Sequence, residues 1–382
     1  MTNMPDPQTC TQPMAASPEV KPEMHATALV KEYLLEHLPV YRELCDIRKE
    51  LWAMEEGDAY FQRQREQTDN ASHQMKKGMF SLMRAICLEI DAATSGLTIR
   101  ARRKHRPAIL DLCMAPGGFA MAAMNLNRSA IIRGITLPTS QGGHEMMLRK
   151  FSETDPEAKV FVDFRDITML SDEMGVAKSS IPPDHPDASS FSSDRPFEEE
   201  KFDLVFCDGQ VLRTHERGEY REKVESTRLL TSQLVLALQR IRWGGTMVIL
   251  LHRAESWRTV KLIHTFSLFS ERVELFKPLK AHKMRSSFYM VAKNVKPGRD
   301  AALEAVNVWK EQWKQATFGV VEVADGGETN EEGERSTTEW KEDSEEKVKA
   351  VLEEYGDDLV RMMEPIFATQ AAALRNAPWA NR

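Results

Sequence analysis

The residues with most chemical content in this chain fall in one short run, Ile109-Leu110-Asp111-Leu112-Cys113-Met114-Ala115-Pro116-Gly117-Gly118-Phe119-Ala120. An apolar strand-like stretch ends in a carboxylate, passes into a Gly-rich turn and continues as a helix. Paired glycines let backbone approach a ligand where a Cβ would clash. A turn at the carboxyl end of a central strand is also where doubly wound sheets bind cofactors. The run is not G-x-G-x-x-G, which disfavours a dinucleotide, and it lacks the G-K-[ST] of a phosphate loop. A second carboxylate, Asp208, closes another apolar run, Phe202–Asp208. Beyond it, Arg213-Thr214-His215-Glu216-Arg217 is either a grip for a phosphate or an exposed loop.

Positioning such groups requires a sheet. Six near-continuous apolar runs, 108–113, 130–137, 159–164, 202–208, 246–252 and 287–293, alternate with helical stretches. That pattern predicts an α/β fold with a mainly parallel sheet covered on both faces. Leu229, Leu230, Gln233, Leu234, Ala237, Leu238 and Ile241 lie in helical register, and Gly244-Gly245 would mark the exit from that helix into a strand. Leu29, Tyr33, Leu34, Leu38 and Tyr41 line one face of an earlier helix.

The expected organisation is a disordered arm over 1–25, an N-terminal helical extension over 26–77, the central domain over 78–296, and a C-terminal region over 297–382. A Pro/Ser/Asp-rich loop insertion over 179–200 interrupts the central domain. The C-terminal region reads as a helix, a flexible acidic linker over 323–346, and a last helix over 348–363 that stops before Pro365.

Composition excludes several classes. The net charge is −7, so a global positive field for nucleic acid is unlikely, although a local basic patch fits. Lys277, Lys280, His282, Lys283 and Arg285, with Arg100, Arg102, Arg103, Lys104 and Arg106, would make such a rim for RNA. The 5 cysteines form no C-x-x-C pair, which argues for reduced intracellular thiols and against a zinc or disulfide framework. No membrane span and no secretory signal is expected, and no metal. The expected location is cytoplasmic or nuclear.

The string D-L-x-x-A-P-G-G-F at 111–119 resembles the S-adenosylmethionine motif of the FtsJ-like RNA ribose 2′-O-methyltransferases. The resemblance extends to Phe202–Gly209, to Gly244–Leu250 and to Arg285–Ala292, in order and spacing over 78–295. It implies a Rossmann-like methyltransferase fold with a seven-stranded sheet, helical N- and C-terminal extensions, S-adenosylmethionine as cofactor and RNA as substrate. By position, Asp111 and the backbone of Ala115, Pro116, Gly117, Gly118 and Phe119 would cradle the methionine end of the cofactor. The acid that binds the cofactor ribose falls at Thr136, with Glu145 as a substitute. The adenine-contacting acid falls at Asp166, or else Asp163, and Asp208 lies beside the transferred methyl.

The family's Lys-Asp-Lys-Glu tetrad is kept only at Asp208, its other positions falling at Ser81, Leu250 and Ser287. A ribose hydroxyl is a poor nucleophile at neutral pH and needs a group to take or orient its proton. Lys77, one helical turn before Ser81, and His252, two residues after Leu250 on the same strand face, are the replacements to consider. Each is otherwise a solvated lysine and a strand-end histidine. An Asp208 neighbour would raise the pKa of His252. The leading expectation is therefore methylation of RNA ribose. The alternatives are a different acceptor, or a catalytically impaired module that binds cofactor or RNA.

Overall fold

The computed structural model describes residues 22–52, 73–100, 105–319 and 343–379. Their sheet has seven strands in the order β3-β2-β1-β4-β5-β7-β6. These are β1 Ala108–Leu112, β2 Ile131–Thr136, β3 Val160–Phe164, β4 Phe202–Cys207, β5 Ile241–His252, β6 Arg272–Phe276 and β7 Ser287–Val295. β3, β2, β1, β4 and β5 pair in parallel, and β7 runs antiparallel to both β5 and β6. The mainly parallel sheet expected from the sequence is thus present. Chain order reverses between β1 and β4, so the crevice at their carboxyl ends lies at the switch point.

The helices are α1 Pro22–His37, α2 Pro39–Trp52, α3 His73–Thr94, α4 Gly118–Leu126, α5 Glu225–Arg240, α6 Trp257–Phe269, α7 Asp300–Phe318 and α8 Glu345–Arg375. Strands buried on both faces need apolar side chains on both sides of the pleat. Ile109, Leu204, Val248, Leu250 and Tyr289 therefore pack with α3 and α4, while Leu110, Val205, Ile249, Leu251 and Met290 pack with α5, α6 and α7. The second core continues into α1, α2 and α8.

Several boundaries differ from expectation. Helix α1 begins at Pro22, inside the stretch expected to be an arm, and α3 runs unbroken across positions 77 and 78. β6 has no continuous apolar run, because it is an edge strand in which Val273 and Leu275 alternate with Arg272 and Glu274. Gly244-Gly245 lies within β5, where the pairing shifts register, and does not mark a helix exit. Helix α8 continues through Pro365. A proline inside a helix costs about 3 kcal/mol. Beyond it, Ile366, Phe367 and Leu374 are buried, and each such side chain returns about 1.5–3 kcal/mol. Packing therefore outweighs the break.

The acidic tract lies outside the described residues up to position 342. Its end is tied down, since Asp343 accepts from Trp257 Nε1 at 2.9 Å and pairs with Lys261 at 2.6 Å. The insertion over 179–200 forms a loop without long helix or strand, but it is packed. Phe191 is buried and stacks edge-on to Trp313.

Candidate active site

The turn after β1 is built by its neighbours. Cys113 and Gly117 both have left-handed backbone, at φ 64 and φ 95. Ala115 N–H donates to Thr136 Oγ1 at 3.1 Å, and Met147 N–H to Pro116 O at 3.0 Å. A Cβ on Gly118 would stand 2.5 Å from Met83 Cβ and 2.6 Å from Phe80 O of α3. A Cβ on Gly117 would stand 2.9 Å from Leu148 Cγ. The close approaches seen at these glycines are thus to the protein itself, with α3 on one side and segment 146–148 on the other. Phe119, in the first turn of α4, is buried against Phe206 and Tyr289.

Two carboxylates stand at the carboxyl ends of β1 and β4. Asp111 is 2% exposed, and its Oδ2 has no hydrogen-bond partner. Burial pushes its carboxyl well above the usual range, and the nearby Asp208 pushes it further, opposed only by a backbone bond from Ala120. Burial likewise pushes Asp208 up to about 7, against the hydrogen bond that Tyr289 donates. That bond runs from Tyr289 Oη to Asp208 Oδ1 at 2.8 Å. A buried carboxylate and a half-buried one that repel each other are expensive unless a cation neutralises them. The pair, with its orphan oxygen, fits a ligand that brings positive charge, as the sulfonium and ammonium of S-adenosylmethionine do.

The adenosyl side is different. Thr136 is buried and its hydroxyl braces Ala115, so it does not point free for a ribose. Glu145 pairs with Lys76 at 3.3 Å, and Asp163 with Arg165 at 2.6 Å. Asp166 accepts from Thr168 N–H at 2.9 Å and from Arg221 Nη2 at 2.9 Å, with His215 Nε2 at 3.5 Å. Burial raises its carboxyl, but His215 and Arg221 outweigh this and hold it well below the usual carboxylate range. The Arg213–Arg217 segment is therefore a pinned cover and not an open loop. Thr214 Oγ1 bonds Gly142 O at 2.8 Å, and Glu216 N–H bonds Gln141 O at 3.3 Å. Beneath it lies a cavity of about 350 Å³, lined by Pro138, Phe164, Asp166, His215, Arg217 and Arg221 among others. Asp166, His215 and Glu225 come within 4.8 Å of one another, a metal-like spacing. The Arg221 guanidinium already bonds both carboxylates there, so the charge is met internally.

The tetrad positions fall as the register requires. Leu250 pairs with Tyr289 and His252 with Ser287 across β5 and β7. Leu250 is buried, while Ser81 and Lys77 are exposed on α3. Lys76, not Lys77, reaches the segment that covers the turn. His252 is on the expected face, but its electrostatics are the reverse of those expected. Partial desolvation, then Lys277 and Arg285, lower its pKa. Ser287 bonds His282 through its hydroxyl and accepts from Lys277 Nζ at 3.0 Å through its carbonyl.

Of the basic rim, Arg100, Arg106, Lys280, Lys283 and Arg285 are exposed, but two members turn inward. Lys277 and His282 are buried, and burial first of all pushes them down to about 7 and about 4. Arg106 donates from Nε to Ser129 O at 3.1 Å, and Arg102, Arg103 and Lys104 lie outside the described residues. Tyr289 and Arg221 received no catalytic or binding role from the sequence, and Lys277 only a place in the rim. Only Tyr289 left a signal, being two residues beyond Ser287 on the same strand face.

A family model described as "FtsJ-like methyltransferase" matches residues 88–295. A cap-specific mRNA (nucleoside-2′-O-)-methyltransferase 1 of Danio rerio is 33% identical over 111 residues, which are 28% of this chain and 13% of that relative. A chain described as a ribosomal RNA methyltransferase of Plasmodium falciparum aligns over 55% of this chain and 93% of its own, at 20% identity and a TM-score of 0.34. A fibrillarin/Nop5p complex aligns over 56% and 83%, at 11% identity and a TM-score of 0.32.

Proposed function

We propose, from the premise that this chain belongs to the FtsJ-like methyltransferase family, that it methylates a ribose hydroxyl of RNA with S-adenosylmethionine. The observation that carries this is the pair of carboxylates beside the Gly117-Gly118 turn, buried Asp111 with one oxygen unpaired and half-buried Asp208. Asp111 and the backbone of Ala115 to Phe119 would hold the methionine end. The adenosyl end would lie toward the cavity at the ends of β2 and β3, with Asp166 already committed to Arg221 and His215. The cofactor, when bound, supplies an electrophilic methyl carbon and a sulfur that leaves with the bonding pair.

The chain's own residues then have one task, to receive the acceptor proton. Asp208 is the group for it. Its carboxylate is raised to about 7 by burial, and the Tyr289 hydroxyl fixes one oxygen, leaving the other to accept. A base with a pKa near the working pH is the effective kind. His252 and Lys77 are secondary candidates, both more exposed than Asp208, whose side-chain donor is Tyr289.

A second reading, a cofactor- or RNA-binding module without turnover, is favoured by Leu250, an apolar side chain where the family places a lysine. Tritiated-methyl transfer to total RNA, with Asp208→Ala as the control, separates the two. Transfer that depends on Asp208 supports the enzyme. Cofactor binding by calorimetry without any transfer supports the module.

A further inference from the structure

We propose that His252, Arg253 and Arg285 form a phosphate-binding site that seats the backbone of a polynucleotide acceptor beside Asp208. The proposal rests on the RNA-methylating reading above and assigns it a specific contact surface.

The site is built where β5 ends and β7 begins. His252 is paired with Ser287 across the two strands. Arg253 follows in left-handed backbone at φ 52, a conformation disfavoured for a long side chain. It is held there by its N–H, which donates to Ser286 O at 3.1 Å. Such residues persist only where their surroundings fix them, and they cluster at functional sites. Arg285 is fixed on both sides of its backbone. Its N–H donates to His282 O at 3.1 Å, and its carbonyl accepts from Lys277 Nζ at 2.6 Å. The side chains of His252, Arg253 and Arg285 are nevertheless exposed. Neither arginine has an ion-pair partner among the described residues.

The charges facing this corner are almost all of one sign. β5 contributes His252 and Arg253, and the connection from β6 to β7 contributes Lys277, His282, Lys283 and Arg285. Helix α2 contributes Arg48. The facing acid, Glu255 before α6, is bonded to Arg48 at 3.1 Å. Burial is the first cause lowering the proton affinity of His252 and His282; Lys277 and Arg285 add to it at both, and His252 at His282. A cluster that suppresses its own protonation calls for an anion. The His282 ring lies 5.7 Å from that of Tyr289, which bonds Asp208. A ribose at Asp208 would thus bring its flanking phosphodiester to this corner. The corner is open and not enclosed, which suits a phosphate carried on a chain more than a free ion.

The test uses the full chain and a fluorescently labelled single-stranded RNA, with inorganic pyrophosphate as competitor. Arg253→Asn tolerates the left-handed backbone, and Arg285→Ser alters an exposed side chain, so both variants should fold. The double variant is expected to lose roughly tenfold or more in RNA affinity, as two charge-assisted contacts go. Its salt slope should become shallower by about 1.4, near 0.7 for each phosphate contact in single strands. A bound anion restores protonation, so RNA binding should take up protons and tighten from pH 8 to pH 6. His252→Gln should reduce that uptake. Pyrophosphate should compete weakly with RNA for the parent and not for the double variant. Unchanged affinity and salt slope in the double variant would overturn the site. Pyrophosphate binding as tight as RNA would also overturn it, replacing the polynucleotide with a free phosphate ligand. RNA bound through these residues but never methylated would leave the site standing and overturn the proposed function instead.

Discussion

Asp208→Asn is the most informative single change, because it should raise stability and abolish activity together. Folding takes the Asp208 carboxyl from its ordinary value of 3.8 up to about 7, through burial. The folded protein therefore holds this proton more tightly than the unfolded chain does. The group's favourable contribution is present below about pH 4 and is lost as pH rises through 7. Three units correspond to about 4 kcal/mol, an upper limit because part of the residue meets solvent. Asparagine has no proton to lose and keeps an acceptor for the Tyr289 hydroxyl, now 2.8 Å from Asp208. It also removes the repulsion on Asp111. Urea unfolding of parent and variant should show no gap near pH 4 and a gap of roughly 2–4 kcal/mol in favour of the variant at pH 8. Methyl transfer should fall about 10²–10⁴-fold, the usual cost of losing a general base. A variant less stable than the parent at pH 8, or a gap independent of pH, would refute the reasoning.

Tyr289→Phe removes the donor that holds Asp208 down, so the acid limb of the pH–rate profile should move up from about 7, by about one unit for a bond of roughly 1.5 kcal/mol; a limb that stays put would exclude Asp208 as the base. Gly117→Val should do more than block a ligand, since φ 95 and the contact with Leu148 forbid the side chain. A loss of about 2 kcal/mol or more in thermal unfolding is expected, alongside lost cofactor affinity. A truncated chain spanning 26–296 lacks α7 and α8, and so Trp313 and Phe367, both nearly fully buried. It should fail to unfold cooperatively in circular dichroism; a sharp transition would show that the central domain stands without α7 and α8.

Parallel strands announce themselves because both faces need apolar residues, as in β1 and β4. The turn at 111–119 is legible for a related reason, since few residue types fit its backbone. What escapes is whatever depends on pairing between distant strands. Tyr289 reaches Asp208 only because antiparallel β7 sets it opposite Leu250. Lys277 and His282 read as exposed charges in a basic run, yet the β6–β7 connection folds them inward onto the carbonyls and hydroxyl around Ser287. Thr136 and Asp166 have suitable chemistry for a ribose and an adenine. Their partners, the Ala115 N–H and the Arg221 guanidinium, arrive from outside their own strands.

The same pairing gives meaning to the positions where the tetrad is lost. Leu250 and Ser287 flank Tyr289 in space, one across the ladder and one two residues before it on the same strand face. Where the resemblance places ionic groups, the surroundings of Asp208 are the apolar Leu250 and the neutral donor Tyr289. A carboxylate beside lysines is held low and ionised, and in that setting lysine handles the proton. Burial pushes the Asp208 carboxyl toward neutrality against the Tyr289 hydrogen bond, and a carboxylate so raised would be the better proton acceptor itself. Positive charge stands elsewhere in the neighbourhood. At His252, Arg253 and Arg285, farther along β5 and β7, the proposed site would face whatever the acceptor carries next to its reacting hydroxyl.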